Sequence, residues 1–139
     1  MGNSASNNYW TGNGNLWLED KEFEKVKSFE CKAVYEWEDV PNGLTTDRVL
    51  MGISYEGSFS YRKTDKNFNI ILDLIFAEYA KGNVPEVNIV SKAYNKASGK
   101  TQRIKITNIT FDELMLQKWE EKSVTEGEMP FKASFVEIL

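Results

Sequence analysis

The stretch SFECKAVYEWE, residues 28–38, decides the class of fold. From Phe29 to Trp37 its odd-numbered positions are apolar, whereas its even-numbered positions are mostly charged. A period of two is typical of a β-strand with one face on a core and the other in water. A strand-like region extends back to residue 22, but the alternation is clean only from Ser28 onward. Residues 22–38 are therefore predicted to form one very long strand, or two strands separated by a bulge near residues 25–27.

A second alternating segment, residues 49–62, predicts a partner for this strand. Its odd face is apolar and aromatic, and its even face is built of small or polar residues. The intervening residues 40–47 contain Pro41, Asn42 and Gly43, which predict a loop. The two segments are therefore expected to pair as one long hairpin over residues 22–62.

One helix is predicted over residues 65–81 from an apolar stripe with helical spacing. Thr64 or Asp65 can cap its start, and Gly82 can end it. Its core-facing candidates are Phe68, Leu72, Ile75, Phe76 and Tyr79.

The remaining chain predicts further strands at residues 85–94, 103–111, 114–119 and 129–139, with an acidic, solvated turn at 120–128. Residues 1–14 are rich in Asn, Ser and Gly and predict a flexible arm. The expected fold class is α+β, mainly β: a barrel or sandwich with one flanking helix, in a single domain over residues 15–139.

The composition argues against most catalytic chemistry. The chain has no histidine, and Cys31 is its only cysteine, so a cysteine nucleophile would lack the usual base. The net charge of −4 gives no drive toward nucleic acid. We therefore expect no enzyme, no cofactor and no metal. A carboxylate-based hydrolase and a monomeric ligand-binding β-barrel remain as alternatives.

The strand lengths favour assembly instead. Most strands have five or six residues, and strands as long as 22–38 and 49–62 project beyond a small domain and offer open edges to another chain. Tyr9 and Trp10 are two large aromatic residues in a polar arm. They predict that the arm docks either on a neighbouring subunit or on its own domain.

Several short motifs occur in a characteristic order. These are GNLWLED at 14–20, FECKA at 29–33, YEGSFSY at 55–61 directly before the helix, and MPFKASF at 129–135. In order and spacing the chain resembles the tail tube proteins of contractile phage tails, in the branch typified by a defective Bacillus prophage. The resemblance extends over almost the whole sequence.

The resemblance implies a barrel-like fold with one flanking helix, six copies in a ring, and rings stacked into a tube around a channel. Its implied partners are further copies of itself, a sheath protein, and baseplate and tail-terminator proteins. DNA would be only a transient cargo, and no membrane anchoring is expected. The implied location is a virion tail or a released tail-like particle that is assembled in the bacterial cytoplasm.

Carried onto this sequence, the resemblance places the small, polar face of the hairpin in the channel. The lumen-facing candidates are Glu30, Lys32, Glu36, Ser54, Glu56, Ser58, Ser60 and Arg62. The candidates for contacts between subunits are Tyr9, Trp10, Val40, Pro41, Leu44, Val49 and Leu50. A tube of another contractile injection system is the nearest alternative.

Overall fold

The computed structural model describes residues 9–10 and 13–139. Eight strands form one antiparallel sheet in the order β2-β1-β5-β6-β7-β4-β3, with β8 paired to β6. They are β1 (Gly14–Leu18), β2 (Lys21–Glu22), β3 (Val26–Asn42), β4 (Thr45–Arg62), β5 (Val87–Tyr94), β6 (Thr101–Phe111), β7 (Glu126–Ala133) and β8 (Phe135–Ile138). One helix, α1, occupies residues 65–80 between β4 and β5. The mainly β class with one helix is confirmed.

The sheet does not close into a barrel. β1 and the start of β3 face each other across a cleft that Gly14 and Leu16 line on one side and Val26 and Phe29 on the other. No hydrogen-bonded pairing joins these two strands in the described part of the chain. Among the described strands, β3 therefore pairs with β4 alone and keeps one open edge along its length.

The hairpin is longer than the sequence predicted. Residues 40–47 are not a loop: Val40 pairs with Asp47 and Asn42 with Thr45, so only Gly43 and Leu44 connect the strands. Gly43 has φ of +63°, which suits a two-residue hairpin turn with glycine first. Proline is tolerated at position 41 because β3 is an edge strand.

The first long segment, residues 22–38, is interrupted, as the alternative with a bulge predicted. β2 ends at Glu22, and β3 begins at Val26. Between them Phe23 turns into the core, with 2% of its surface exposed, and Lys25 adopts φ of +61°. A register shift between Val26 and Ser28 adds a bulge at the start of β3.

Helix α1 has three continuous segments, α-helical Asp65–Ile71, π-helical Leu72–Phe76 and α-helical Ala77–Ala80. Thr64 is the N-cap: its side chain accepts a hydrogen bond from the Asn67 N–H, and the Asn67 side chain accepts one from the Thr64 N–H. Such a reciprocal capping box satisfies two of the free donors at a helix start.

The buried stripe of α1 differs from the predicted one. Asn67, Ile70, Ile71 and Ile75 are buried, Phe68, Leu72 and Tyr79 are half-buried, and Phe76 is 39% exposed. A π-helical turn holds more residues than an α-helical turn, so it rotates the residues that follow it relative to a strict α-helical stripe. The prediction that Phe76 belongs to the core is therefore wrong for the isolated chain.

The C-terminal third departs from the sequence prediction in two places. Residues 114–119 form no strand, and β7 begins at Glu126, inside the predicted acidic turn. β7 and β8 then follow β6 almost without a break. Phe131 pairs with Phe111 and Phe135 with Thr107, and the chain kinks at Ser134 between them.

The core lies between the strands β1, β5 and β6 on one side and β3, β4 and β7 on the other, under the helix. Its aromatic centre consists of Phe23, Phe59, Tyr61 and Phe131, all at most 2% exposed. Phe23 meets the rings of Phe59 and Tyr61 edge-on at centroid distances of 5.4 and 5.2 Å. Edge-to-face pairs of this kind are favourable beyond the area they bury. Among the described residues, no helix is long and apolar enough to cross a membrane.

The predicted arm lies mostly outside the described residues, which leave out 1–8 and 11–12. Tyr9 is 73% and Trp10 47% exposed. β1 already begins at Gly14, where an added Cβ would approach the Lys92 carbonyl oxygen to 2.8 Å. Glycine there permits close packing of β1 on β5.

Candidate assembly surfaces

The eight lumen-facing candidates share one face of the sheet, which we call the polar face. Register and strand alternation place rows of side chains across β3, β4 and β7 on it. One row is Glu30, Ser58 and Pro130, and the next is Lys32, Glu56 and Lys132. The other candidates follow the same alternation, with Ser60 opposite Ser28, Ser54 opposite Val34, Glu36 opposite Gly52 and Arg62 opposite Glu126.

Each cation on the polar face has a carboxylate beside it. The Lys32 ammonium lies 3.7 Å from Glu56 and 4.0 Å from Glu30. Lys132 lies 3.7 Å from Asp112 on the neighbouring strand end. Exposed pairs like these contribute only about 0–1 kcal/mol to stability. Their effect is electrostatic, because they neutralise the cations and leave the face acidic overall.

A tighter ion cluster lies where the hairpin meets β7. Glu126 accepts hydrogen bonds from Lys27 at 3.0 and 3.1 Å, and the Arg62 Nε lies 3.8 Å away. The hydrogen bond from Lys27 is the main cause that lowers the pKa of Glu126 below its usual value, and the charges of Lys27 and Arg62 add to it. Glu126 therefore stays ionised at mildly acidic pH.

Sequence reasoning missed the third strand of the polar face. Glu126 and Glu128 were assigned to a solvated turn, and Lys132 to the last strand without a partner. The alternation of Glu126, Glu128, Pro130 and Lys132 with apolar neighbours was the available signal. It was hidden because Gly127 stands at an apolar position, where it lies against the Tyr61 ring.

The outer part of the hairpin, residues 34–54, extends beyond the last pair of β4 with β7, Tyr55 with Ala133. We call this part the ribbon. On the side that continues the core face, it exposes Tyr35 by 52%, Trp37 by 48%, Leu50 by 45% and Ile53 by 50%. The Arg48 guanidinium covers part of this surface, 4.7 Å from the centre of the Trp37 ring.

A bulge in the ribbon changes which residues share this apolar face. The register shifts between Glu36 and Trp37, so Trp37 pairs with Leu50. Val49 therefore lies opposite Glu38 on the polar side, whereas strict alternation from the sequence grouped it with Ile53. A strand register cannot be read from one sequence where an extra residue is inserted.

Four of the candidates for contacts between subunits are exposed toward the end of the ribbon. Val40 is 41%, Val49 42% and Leu44 107% exposed, and Pro41 is exposed beside them. Leu44 stands at the turn itself.

The side chains of these surfaces do not favour nucleophilic or metal-dependent catalysis. Cys31 pairs across strands with Gly57 and is half-buried, and burial raises the pKa of its thiol. The reactive thiolate is thus disfavoured. In the part of the chain that the structure describes, no group of three acidic or cysteine side chains could hold a metal ion.

Comparison with known protein families gives a match over residues 3–139 to the model of the phage tail tube protein family. The chain belongs to this family. The members of this family are structural components of phage tails and not enzymes. No curated protein matches its sequence.

Solved structures share the fold of the tail tube protein. The tube-terminating cap of the anti-feeding prophage matches with a TM-score of 0.72 at 14% identity, over 91% of this chain and 87% of the cap. A chain of the sheath–tube complex of the extracellular contractile injection system PVC matches with a TM-score of 0.69 at 12% identity, over 100% of this chain and 98% of that one. A chain of the PVC sheath/tube terminator matches with a TM-score of 0.63 at 13% identity, over 92% of this chain and 94% of that one.

Proposed function

We propose that six copies of this tail tube protein form a ring and that stacked rings build the inner tube of a contractile phage tail or phage-tail-like bacteriocin. In this tube the polar face lines the channel, and the ribbon reaches a neighbouring copy. The family match and the similarity to tube and cap chains support this assignment. Sheath, baseplate and terminator proteins are its proposed partners, in a virion tail or released particle assembled in the bacterial cytoplasm.

The main support for the proposal is the difference between the two faces of the ribbon. One face exposes four large apolar side chains in an isolated chain, and the charged residues of the other face, Glu36, Glu38 and Asp47, are all acidic. A two-stranded ribbon has no core of its own and is marginally stable alone. Covering its apolar face with another copy would bury that surface and leave the polar face in water, as a channel wall requires.

The strand edges add a second argument. No described strand pairs with the outer edge of β3, and β4 loses its partner β7 beyond Tyr55. Open edges present rows of unpaired N–H and C=O groups, which hydrogen-bond readily to a strand from another chain. The ribbon therefore offers both hydrogen-bonding edges and an apolar face to a neighbour.

The charges of the polar face suit a channel that passes DNA without holding it. Lys32 and Lys132 are paired with carboxylates, and Glu36 and Glu128 have no cation within 4 Å among the described residues. A net acidic wall repels phosphates and provides no sites for counterion-releasing contacts. DNA would be a transient cargo, and the same wall would serve a genome-free particle.

A charged residue in the apolar ribbon face tests the assembly. Ile53→Asp should prevent rings and tubes, because burial of an unpaired carboxylate is costly. Ser54→Asp places the same charge on the polar face of the same strand and should assemble normally. Particles are counted by negative-stain electron microscopy after both variants pass a check of their circular dichroism.

Three outcomes would contradict the proposal. Normal tubes from Ile53→Asp would exclude the ribbon face from the contacts. Loss of tubes from Ser54→Asp alone would place the polar face in an interface. A wild-type chain that stays monomeric and binds an apolar dye would favour the ligand-binding barrel instead.

The tube of an extracellular contractile injection system is the second candidate, favoured by the match to a chain of the PVC sheath–tube complex over the full length of both chains. Both candidates require the same ring and the same channel face. Purified native particles identify a phage tail by its DNA-filled head, which both the bacteriocin and the extracellular injection system lack.

A further inference from the structure

The β5–β6 hairpin carries charge of one sign only. Residues 87–111 contain no Asp or Glu. Five cations lie in this segment, namely Lys92, Lys96, Lys100, Arg103 and Lys105. Lys96 and Lys100 lie in the turn between the strands, and both are exposed. This turn is the cationic end of the molecule.

Two of these cations oppose each other within the sheet. Lys92 of β5 is the cross-strand partner of Arg103 of β6, on the face of the hairpin that alternation turns away from the buried Ser91. Like charges directly opposite each other in a sheet are destabilising. A nearby acidic group from another molecule would remove this repulsion.

None of the five cations makes a salt bridge with any described residue. Residues 1–14, which include those outside the described part, contain no acidic side chain. On the polar face, by contrast, Lys27, Lys32, Arg62 and Lys132 all lie within 4 Å of a carboxylate. Lys105 does have an acidic cross-strand neighbour, Glu137 of β8, whereas the turn residues Lys96 and Lys100 have no acidic side chain within 4 Å among the described residues.

The other end of strand β6 leads into a loop with a net negative charge. β6 runs from Thr101, beside the cationic turn, to Phe111, where the loop 112–125 begins. That loop exposes Asp112, Glu113, Glu120 and Glu121 against Lys118 and Lys122, together with Trp119, which is 77% exposed. Eleven residues of strand separate the two ends by about 35 Å. A chain with a cationic end and an acidic end can bind copies of itself head to tail.

We propose that the cationic β5–β6 turn of one copy binds the acidic loop 112–125 of the next copy along the tube axis. This contact is heterologous, because different surfaces of the two copies meet, and repeated contacts of this kind extend without limit when the operation does not close. The inference rests on the proposed function and deepens it: the ribbon contacts hold a ring together, and this charged contact holds successive rings.

Charge reversal separates the two kinds of contact. In the full-length chain, Lys96→Glu with Lys100→Glu should leave rings intact in native mass spectrometry and abolish tubes in electron micrographs. Glu120→Lys with Glu121→Lys should do the same. Combining all four substitutions should restore tubes, because the reversed charges match again. The matched control is Lys66→Glu with Lys81→Glu at the two ends of α1, which changes the charge equally and should form normal tubes.

The outcomes are distinct for the two proposals. Absence of rings from the wild-type chain in native mass spectrometry would contradict the proposed function itself. Normal tubes from Lys96→Glu with Lys100→Glu, or no recovery in the fourfold variant, overturns the axial contact while the ring stands. Recovery of tubes when Lys96→Glu and Lys100→Glu are combined with Asp39→Lys and Asp47→Lys would also overturn the axial contact. It would show that the β5–β6 turn binds the acidic ribbon of a neighbour.

Discussion

The phenol of Tyr61 fills the space that a side chain at Gly127, its cross-strand partner, would need. A Cβ built on Gly127 would lie 2.7 Å from both Cζ and Oη of Tyr61 and 3.0 Å from the terminal methyl group of Met115. Glycine at this position lets β7 approach an aromatic ring at the centre of the core. This contact joins the hairpin, β7 and the loop that precedes β7.

Gly127→Ala should lower the free energy of unfolding of the subunit by about 1–3 kcal/mol, the usual cost of overpacking a core. Urea denaturation followed by tryptophan fluorescence measures the change. Gly52→Ala is the matched control in a strand, because its Cβ would meet only the Glu36 carboxylate, at an ordinary 3.4 Å. Equal stability of the two variants would contradict the close packing of Tyr61 on Gly127.

Tyr61→Phe should leave the stability unchanged or raise it by up to about 1 kcal/mol. The Tyr61 hydroxyl is buried and has no hydrogen-bond partner among the described residues, and burial raises the pKa of the phenol, so it stays protonated. Removing the oxygen also relieves part of the overlap in Gly127→Ala. The double variant should therefore be more stable than the two single effects predict, and a purely additive cycle would argue against this contact.

Asn67→Ala should destabilise the subunit by about 3 kcal/mol, since it leaves several buried backbone groups unpaired. The Asn67 amide donates to the carbonyl oxygens of Glu24 at 3.1 Å and Arg62 at 2.8 Å, and its oxygen accepts from the Thr64 N–H at 2.9 Å. Asn69→Ala, on the exposed side of the same helix, provides the control in the same denaturation assay. A small effect at residue 67 would show that water replaces these bonds.

The Glu126 ion cluster should make stability depend on pH. The pKa of Glu126 is lowered in the folded chain, so its contribution is present above the usual glutamate pKa, about 4.3, and is lost as the pH falls through the folded pKa. Wild type should exceed Glu126→Gln in stability at pH 7, and the difference should shrink toward pH 3. A pH-independent difference in urea titrations would exclude this ion cluster as its source.

Much of the fold could be predicted because its signals are local. The alternation from Ser28 to Trp37 and the stripe from Phe68 to Tyr79 record which faces meet the core. Thr64 could be recognised as a cap from residue type alone. These features depend on neighbours within a few residues, which a single sequence contains.

The errors arose where the outcome depends on distant contacts or on a small change of register. Residues 40–47 contain turn-forming residues, yet all but Gly43 and Leu44 pair as strand because the hairpin continues past the core. The bulge at Met51 moves Val49 to the other face of the ribbon, and the π-helical segment of α1 rotates Phe76 toward the surface. One inserted residue decides each of the last two cases, and composition does not report it.

The candidate site was predicted in part. The face shared by Glu30, Ser58 and Arg62 follows from alternation, but Lys132 and Glu126 join it only through pairing of β4 with β7, about seventy residues away in sequence. The cationic end also escaped notice, since net charge averages the β5–β6 hairpin with the acidic segments. The separation of positive and negative charge becomes visible only when the charged residues are placed on the folded strands.

The length of the ribbon has a consequence for the kinetics of growth. An unsupported pair of strands is only marginally ordered, so a free subunit bears the entropic cost of fixing residues 34–54 when it first meets another. In the proposed assembly, an incomplete ring already displays an ordered ribbon at its open end, and the next copy can fold its own ribbon against it. Tubes built in this way should start rarely and lengthen readily, with a lag that added tube fragments abolish.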